Sequence, residues 1–491
     1  MMHPTSLAGK FGIGDFGTEA YKFVDFLEAS GQTLWQVLPL GQTGYGDSPY
    51  QCFSAFAGNL SLISPEKIVE DNFLSVEDLS DVPDFPLAKV DFGKVQEYKK
   101  AILKKAFENF RKTDDEKIAA SFHDFCNYNA FWLENYTLFR AIKLANKQVS
   151  WQEWNAPLKL RDENALNVVR KELDDEIFAQ KFYQFLFFKQ WDALKNYANG
   201  KNVRIIGDVP IFVALDSSDV WCNPNQFKLN EDGSPRVVAG VPPDYFSKTG
   251  QRWGNPIYDW ERMREDNFSW WVERMRFTLK MFDVARIDHF RGFAACWEVP
   301  GTDKTAENGT WVNVPGRELF EAFGNALGEK LPFMAEDLGV ITPDVESLRD
   351  DFNLPGMKIL QYAFGGDEHN NYLPHNFIQN CAAYSGTHDN DTTVGWFASA
   401  SEHEREFCFK YLNSDGREIH WDFIRIIFES VADTTIIPMQ DILGLGSEAR
   451  MNLPASESGN WNWRCKEDDF SRELAQRLKE LTELYGRTVK N

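Results

Sequence analysis

Three short acidic segments, each following an apolar run, carry most of the chemical information in this 491-residue chain: V-A-R-I-D-H-F around Asp288, F-M-A-E-D-L-G around Glu336 and Y-S-G-T-H-D-N-D around Asp389. Each carboxylate stands where a buried parallel strand would end. In a closed α/β barrel, residues at that end of several strands converge on one pocket. Three converging carboxylates suit chemistry through a sugar oxocarbenium ion: one attacks or stabilises, one carries a proton, one holds the ring. Arg286 lies two residues before Asp288, on the same face of the strand. A guanidinium there keeps the carboxylate ionised, as a nucleophile must be, although an ordinary strand-end ion pair has the same pattern. Glu336 is flanked by Asp337 and an apolar strand, which raises its pKa and suits a proton donor near neutral pH. The same residues also read as a helix cap or a solvated acidic pair. His388 stands beside Asp389, placed to hydrogen-bond a sugar hydroxyl. A polar turn and a metal site are the other readings of G-T-H-D-N-D, but no H-x-H or H-E-x-x-H accompanies it.

Two loops add groups that could hold a sugar. Residues 41–59, G-Q-T-G-Y-G-D-S-P-Y-Q-C-F-S-A-F-A-G-N, cannot be helix and follow a strand, so they belong on the active face, with Tyr45 and Tyr50 as stacking platforms. Residues 239–256, A-G-V-P-P-D-Y-F-S-K-T-G-Q-R-W-G-N-P, read as an active-site loop offering Tyr245, Phe246, Gln251 and Trp253. Both also read as structured surface loops with buried aromatics.

The elements that must position these groups alternate between strand and helix. Residues 18–30 carry helical apolar spacing and stop at Gly31, and 33–40 (T-L-W-Q-V-L-P-L) reads as a buried strand. Further strand runs lie at 203–213, 282–288, 332–338, 357–364, 382–387 and 434–443, with helical patterns at 267–281 and 346–352 among them. This alternation over one chain predicts a (β/α)8 TIM-type barrel spanning residues 1–491, and no G-x-G-x-x-G opens a helix to favour a dinucleotide fold. Residues 65–200 are dense in charge and poor in strands, and read as a mostly helical insertion walling one side of the cleft.

A net charge of −22 argues against a nucleic-acid partner or an anionic membrane surface. Seven dispersed cysteines without a C-x-x-C pair read as reduced thiols of a cytoplasmic protein, and no run of apolar residues reaches membrane-span length. The N-terminus lacks the basic and apolar regions of a signal peptide.

The segments G-Y-G-D-S-P-Y, G-D-V-P-I-F-V, G-V-P-P-D-Y-F-S-K-T-G-Q-R-W-G-N-P, R-I-D-H-F-R-G, A-E-D-L-G, G-T-H-D-N-D-T and L-G-L-G-S-E-A-R-M-N, in this order, resemble the 4-α-glucanotransferases, or amylomaltases. The likeness runs from H-P-T-S-L near the start to N-W-N-W-R at 460–464. It implies an α-amylase-like barrel with helical insertions and retaining disproportionation of α-1,4-glucans. Asp288 matches the family's nucleophile, Glu336 its general acid/base and Asp389 its transition-state-stabilising acid. Arg286 and His388 match flanking site residues, and Asp208 matches a further sugar-binding acid. Tyr50, Gln251 and Trp253 correspond to donor- or acceptor-side contacts, and Tyr45 to a more remote glucan contact. The implied partners are maltooligosaccharides, amylose and glycogen-derived dextrins, with glucose as an acceptor, and no cofactor or metal. The chain departs from the family only peripherally, at Ala8, Gln42 and Cys296. A hydrolase on the same barrel, a non-catalytic glucan-binding protein and a metal-dependent hydrolase are the alternatives.

Overall fold

The structure, a computed structural model, describes residues 1–243, 247–454, 456 and 458–488, with the side chain of Tyr45 not among the described parts. Tyr245 and Phe246 therefore lie outside the described residues. Eleven strands form among the described residues. They are β1 (Leu34–Gln36), β2 (Arg204–Pro210), β3 (Val237–Val241), β4 (Gln251–Pro256), β5 (Val284–Asp288), β6 (Ala295–Pro300), β7 (Thr310–Asn313), β8 (Phe333–Ala335), β9 (Gly356–Ile359), β10 (Cys381–Tyr384) and β11 (Thr434–Ile436).

Two parallel arcs, β1-β2-β5-β8 and β9-β10-β11, make the wall of the barrel. The Ala335 amide donates to the Pro355 carbonyl at 2.9 Å and carries the wall from β8 to β9. The remaining gap is filled by Met1–Met2: the Met2 amide donates to Gln36 O and the Met439 amide to Met1 O, both at 3.0 Å. That segment is the eighth stave, and the arrangement is an α/β barrel with helices outside.

Five of the seven wall strands fall inside the apolar runs that predict buried strands, and β9 and β10 begin one residue before theirs, at Gly356 and Cys381. The interior is filled by Ile206, Met334, Met357, Ile359, Ala382, Tyr384 and Ile436. Side chains alternate as a pleat requires: Ile287 of β5 packs outward with Phe320 and Phe333, while Arg286 and Asp288 point inward. Helices follow their sequence signals. Thr18–Ala29 stops before Gly31, whose φ of +72° favours glycine, and Ser269–Met281 and Pro343–Asp351 occupy the other helical patterns.

Three features differ from the expectations. Residues 239–256 are not loop throughout: β3 and β4 pair as a hairpin, extended by β6 and β7 into an antiparallel sheet. Gly240 marks close strand approach instead of a turn, since a Cβ there would lie 2.4 Å from the Gln251 carbonyl oxygen. The run 434–443 is strand only to Ile436, because Pro438 opens the short helix Met439–Ile442. The helix Asp174–Gly200, inside the stretch read as an insertion, packs on the barrel beside β2 and donates from Trp191 Nε1 to Met281 O at 3.0 Å. Before it, helices Phe92–Phe110, Glu116–Tyr128 and Ala130–Ala145 form an aromatic-rich layer. Arg140 and Lys143 of the last lie over the Phe53 ring at 4.7 and 5.0 Å, so this layer backs the 41–59 loop. No helix among the described residues is long and apolar enough to cross a membrane.

Candidate active site

Strand register sets the first layer of the site. In the β2–β5 pair Asp208 stands opposite Arg286 and Pro210 opposite Asp288. Arg286 Nη1 donates to both Asp208 oxygens, at 2.7 and 2.9 Å, and to Asp288 Oδ1 at 3.0 Å. Burial opposes the charge of Arg286, but the carboxylates of Asp208 and Asp288 prevail and hold its pKa above the usual arginine value. One guanidinium thus ties the Asp208 and Asp288 side chains together across the β2–β5 pair.

Asp208 is the deepest of these acids. Its side chain has 0% exposure and also accepts from Tyr50 Oη at 2.9 Å. It sits at the inward pleat position two residues below Pro210, packed under Arg286 and Tyr50, and lines a pocket with Tyr50.

Glu336 directly follows β8, and its Oε2 accepts the His289 amide at 2.6 Å. The Glu336 amide donates to Ile287 O and the Phe290 amide to Glu336 O, both at 3.0 Å, so the residue is stitched to the segment after β5. Burial pushes its carboxyl up to about 8; Arg286 opposes this and Asp288 adds to it. Glu336 therefore keeps its proton near neutral pH. His289 takes a left-handed backbone, φ 51°, which turns its amide toward Glu336, and burial lowers its imidazole to about 4, leaving it neutral.

This proton has a consequence for stability. The folded chain holds it up to about pH 8, whereas an ordinary glutamate releases it near 4.5. Across that interval the native state binds more protons than the unfolded one, so Glu336 erodes stability as pH rises. Glu336→Gln removes this linkage. Its Tm should nearly match that of the unaltered protein at about pH 5 and exceed it by a few °C above about pH 8. A Tm gap that does not change with pH would contradict the assignment.

Asp389 lies beyond β10, with its side chain 48% exposed. Asn452 Nδ2 donates to Asp389 Oδ1 at 2.6 Å, and Arg450 Nη2 to the Asp389 carbonyl at 2.7 Å. His388 is 4% exposed, with Nε2 3.5 Å from Asp389 Oδ1. Its ring stacks on Tyr50 at 5.1 Å and tilts against Trp461 at 5.8 Å. Asp288 and Asp389 line one cleft of about 340 Å³ with Tyr50, Gln251, Trp253, His289, His388, Asn452 and Trp461. Trp253 meets His289 edge-on at 4.8 Å and donates from Nε1 to Gln251 Oε1 at 3.2 Å, which fixes both at the rim.

The structure thus gathers Asp288, Asp389, Tyr50, His388, Gln251 and Trp253 around one space, with Glu336 tied to it through His289 and Arg286 below. His289, Arg450, Asn452 and Trp461 were not singled out from sequence. Their signal was present in R-I-D-H-F-R-G, S-E-A-R-M-N and N-W-N-W-R, but nothing local tells a loop residue that its partner is some sixty positions away. Among the described residues, no group of three or more His, Cys, Asp or Glu side chains is arranged to hold a metal ion.

A closed α/β barrel with an ion-paired carboxylate, a proton-holding carboxyl and a third acid at the same strand ends has the layout of enzymes that cleave glycosidic bonds. A family model described as 4-alpha-glucanotransferase matches residues 2–469. The chain is 49% identical to the 4-alpha-glucanotransferase of Synechocystis sp. over 492 residues, covering 100% of this chain and 97% of that one. It is 48% identical to the Thermus thermophilus 4-alpha-glucanotransferase over 495 residues, covering 99% and 98% of the two chains. The solved structure of amylomaltase from Streptococcus agalactiae in complex with acarbose matches with a TM-score of 0.96 at 41% identity, covering 99% of each chain. The chain belongs to the 4-alpha-glucanotransferase family, glycoside hydrolase family 77.

Proposed function

We propose that this chain disproportionates α-1,4-glucans, moving a segment from a donor maltodextrin to the 4-hydroxyl of an acceptor glucan or glucose. The observation that carries the reading is the family match over residues 2–469, with Asp288, Glu336 and Asp389 all in place. Glu336 gives its proton to the glycosidic oxygen as the Asp288 carboxylate attacks C1. The C1–O bond breaks, the shortened glucan leaves as an alcohol, and a β-linked ester to Asp288 remains. Glu336, now a carboxylate, takes the proton of the incoming 4-hydroxyl, whose oxygen displaces Asp288. Two inversions restore the α configuration, and the enzyme ends with the protonation it began with.

The surrounding residues act through these groups. Arg286, clamped by Asp208, holds the Asp288 carboxylate in position. Asn452 and Arg450 hold Asp389 where it accepts hydroxyl hydrogens of the flattened ring. Tyr50, Gln251 and Trp253 contact donor or acceptor sugars, and the helical layer behind Phe53 walls the cleft. Tyr45 contributes a more distant platform.

Water is the more abundant nucleophile, so transfer wins only if bound acceptor is oriented and water kept out. Trp253→Ala opens the rim beside His289, and the ratio of hydrolysis to transfer should rise about tenfold. An unchanged ratio would remove Trp253 from this role. The dispersed cysteines, without a C-x-x-C pair, suit a reducing, cytoplasmic setting. Incubation with maltotriose alone tests the function: glucose together with glucans longer than maltotriose is expected, while glucose and maltose alone would mark a hydrolase.

A further inference from the structure

A second pocket lies outside the catalytic cleft, between helix Ala130–Ala145, the segment 218–226 and helix Ser269–Met281, with a volume of about 230 Å³. Phe56 forms part of its wall, crossed edge-on by Phe131 at 5.5 Å and Trp270 at 6.2 Å. Phe131 is 49% exposed, so its ring is open to a ligand entering the pocket. A polar fringe faces these rings: Asn135 and Gln226 are among the lining residues, and Gln226 Oε1 is buried with no hydrogen-bond partner. No lysine or arginine lines the pocket, while Asp219 and Glu273 do.

Apolar rings beside carboxamide and carboxylate groups match the two faces of a neutral sugar, whose C–H surface stacks and whose hydroxyls donate and accept. The guanidinium groups nearest the pocket are already engaged, Arg161 with Asn135 and Cys222 and Arg276 with Glu273, so the lining offers carboxamide, hydroxyl and carboxylate groups to a neutral ligand. Ser54 and Phe56 of this pocket belong to the same loop as Tyr50 and Gln51 of the cleft. Five residues lie between Tyr50 and Phe56, six Cα steps with a reach of at most about 22 Å. A glucan threading the cleft is long enough to span that distance.

We infer that this outer pocket binds a glucosyl unit of an α-1,4-glucan away from the reacting bond, an inference that rests on the function proposed above. It gives long glucans an extra contact that maltotriose lacks, and so favours them by effective concentration.

Phe131→Ala and, separately, Gln226→Leu should raise KM for amylose at least fivefold while leaving kcat/KM for maltotriose within twofold. Unchanged KM for amylose in both variants, or an equal loss on both substrates, would overturn the inference. A measurement that does not need turnover is retardation of the Asp288→Asn chain in an amylose-containing native gel. Adding Phe131→Ala should weaken its apparent affinity about fivefold, and equal retardation would overturn the second site. Failure of the unaltered chain to convert maltotriose would instead overturn the function itself.

Discussion

Asp288→Asn should lower kcat for maltotriose disproportionation by at least about 10⁴-fold, because the amide cannot form the glycosyl ester. Maltoheptaose affinity should stay within about threefold. The substitution is also a clean one structurally. Arg286 keeps two hydrogen bonds to Asp208, at 2.7 and 2.9 Å, so removing one carboxylate does not strand a buried cation. Equilibrium binding and initial rates check the two halves separately. Turnover above about one percent of the unaltered rate would refute the assignment of Asp288. Lost binding together with lost turnover would show a structural role instead.

Glu336→Gln has the second largest expected effect, a fall of about 10³-fold in kcat on maltotriose, within the range of general acid–base catalysis. Its signature is selective rescue. A maltosyl fluoride donor needs no proton for its leaving group, so formation of the glycosyl-enzyme should recover. Azide needs no base, so it should release that intermediate as an α-glycosyl azide. In the unaltered protein kcat/KM should fall above about pH 8, as the raised Glu336 carboxyl ionises, and this alkaline limb should vanish in the variant. Absence of azide rescue, or survival of the limb, would place the proton elsewhere.

The parts of this molecule legible in its sequence are those set by continuous burial. Seven wall strands were visible because strands buried on both sides read as nearly continuous apolar runs, as in F-M-A before Glu336 and V-A-R-I before Asp288, where only Arg286 interrupts. The eighth stave was not, since Met1–Met2 is too short to show a period and is defined only by hydrogen bonds to residues near 36 and 439. The β3–β4 hairpin was hidden because Gly240 and Gly250 look like loop punctuation, although Gly240 serves close strand approach. Within the site, R-x-D spacing correctly implied the Arg286–Asp288 contact, a two-residue relation fixed by the pleat. It could not imply that Asp208 shares the same guanidinium, because that depends on register between strands 78 residues apart. The depth of Asp208 and the Asn452 contact to Asp389 belong to the same non-local class.

The central claim is that Asp288 carries the transferred glucan as a covalent ester while Glu336 manages the proton. Mass spectrometry of the Glu336→Gln chain after reaction with maltosyl fluoride, in the absence of azide, tests it most directly. The account predicts one added maltosyl unit, located on the peptide containing Asp288. An unmodified protein that nevertheless releases fluoride, or a maltosyl unit on any other peptide, would contradict it.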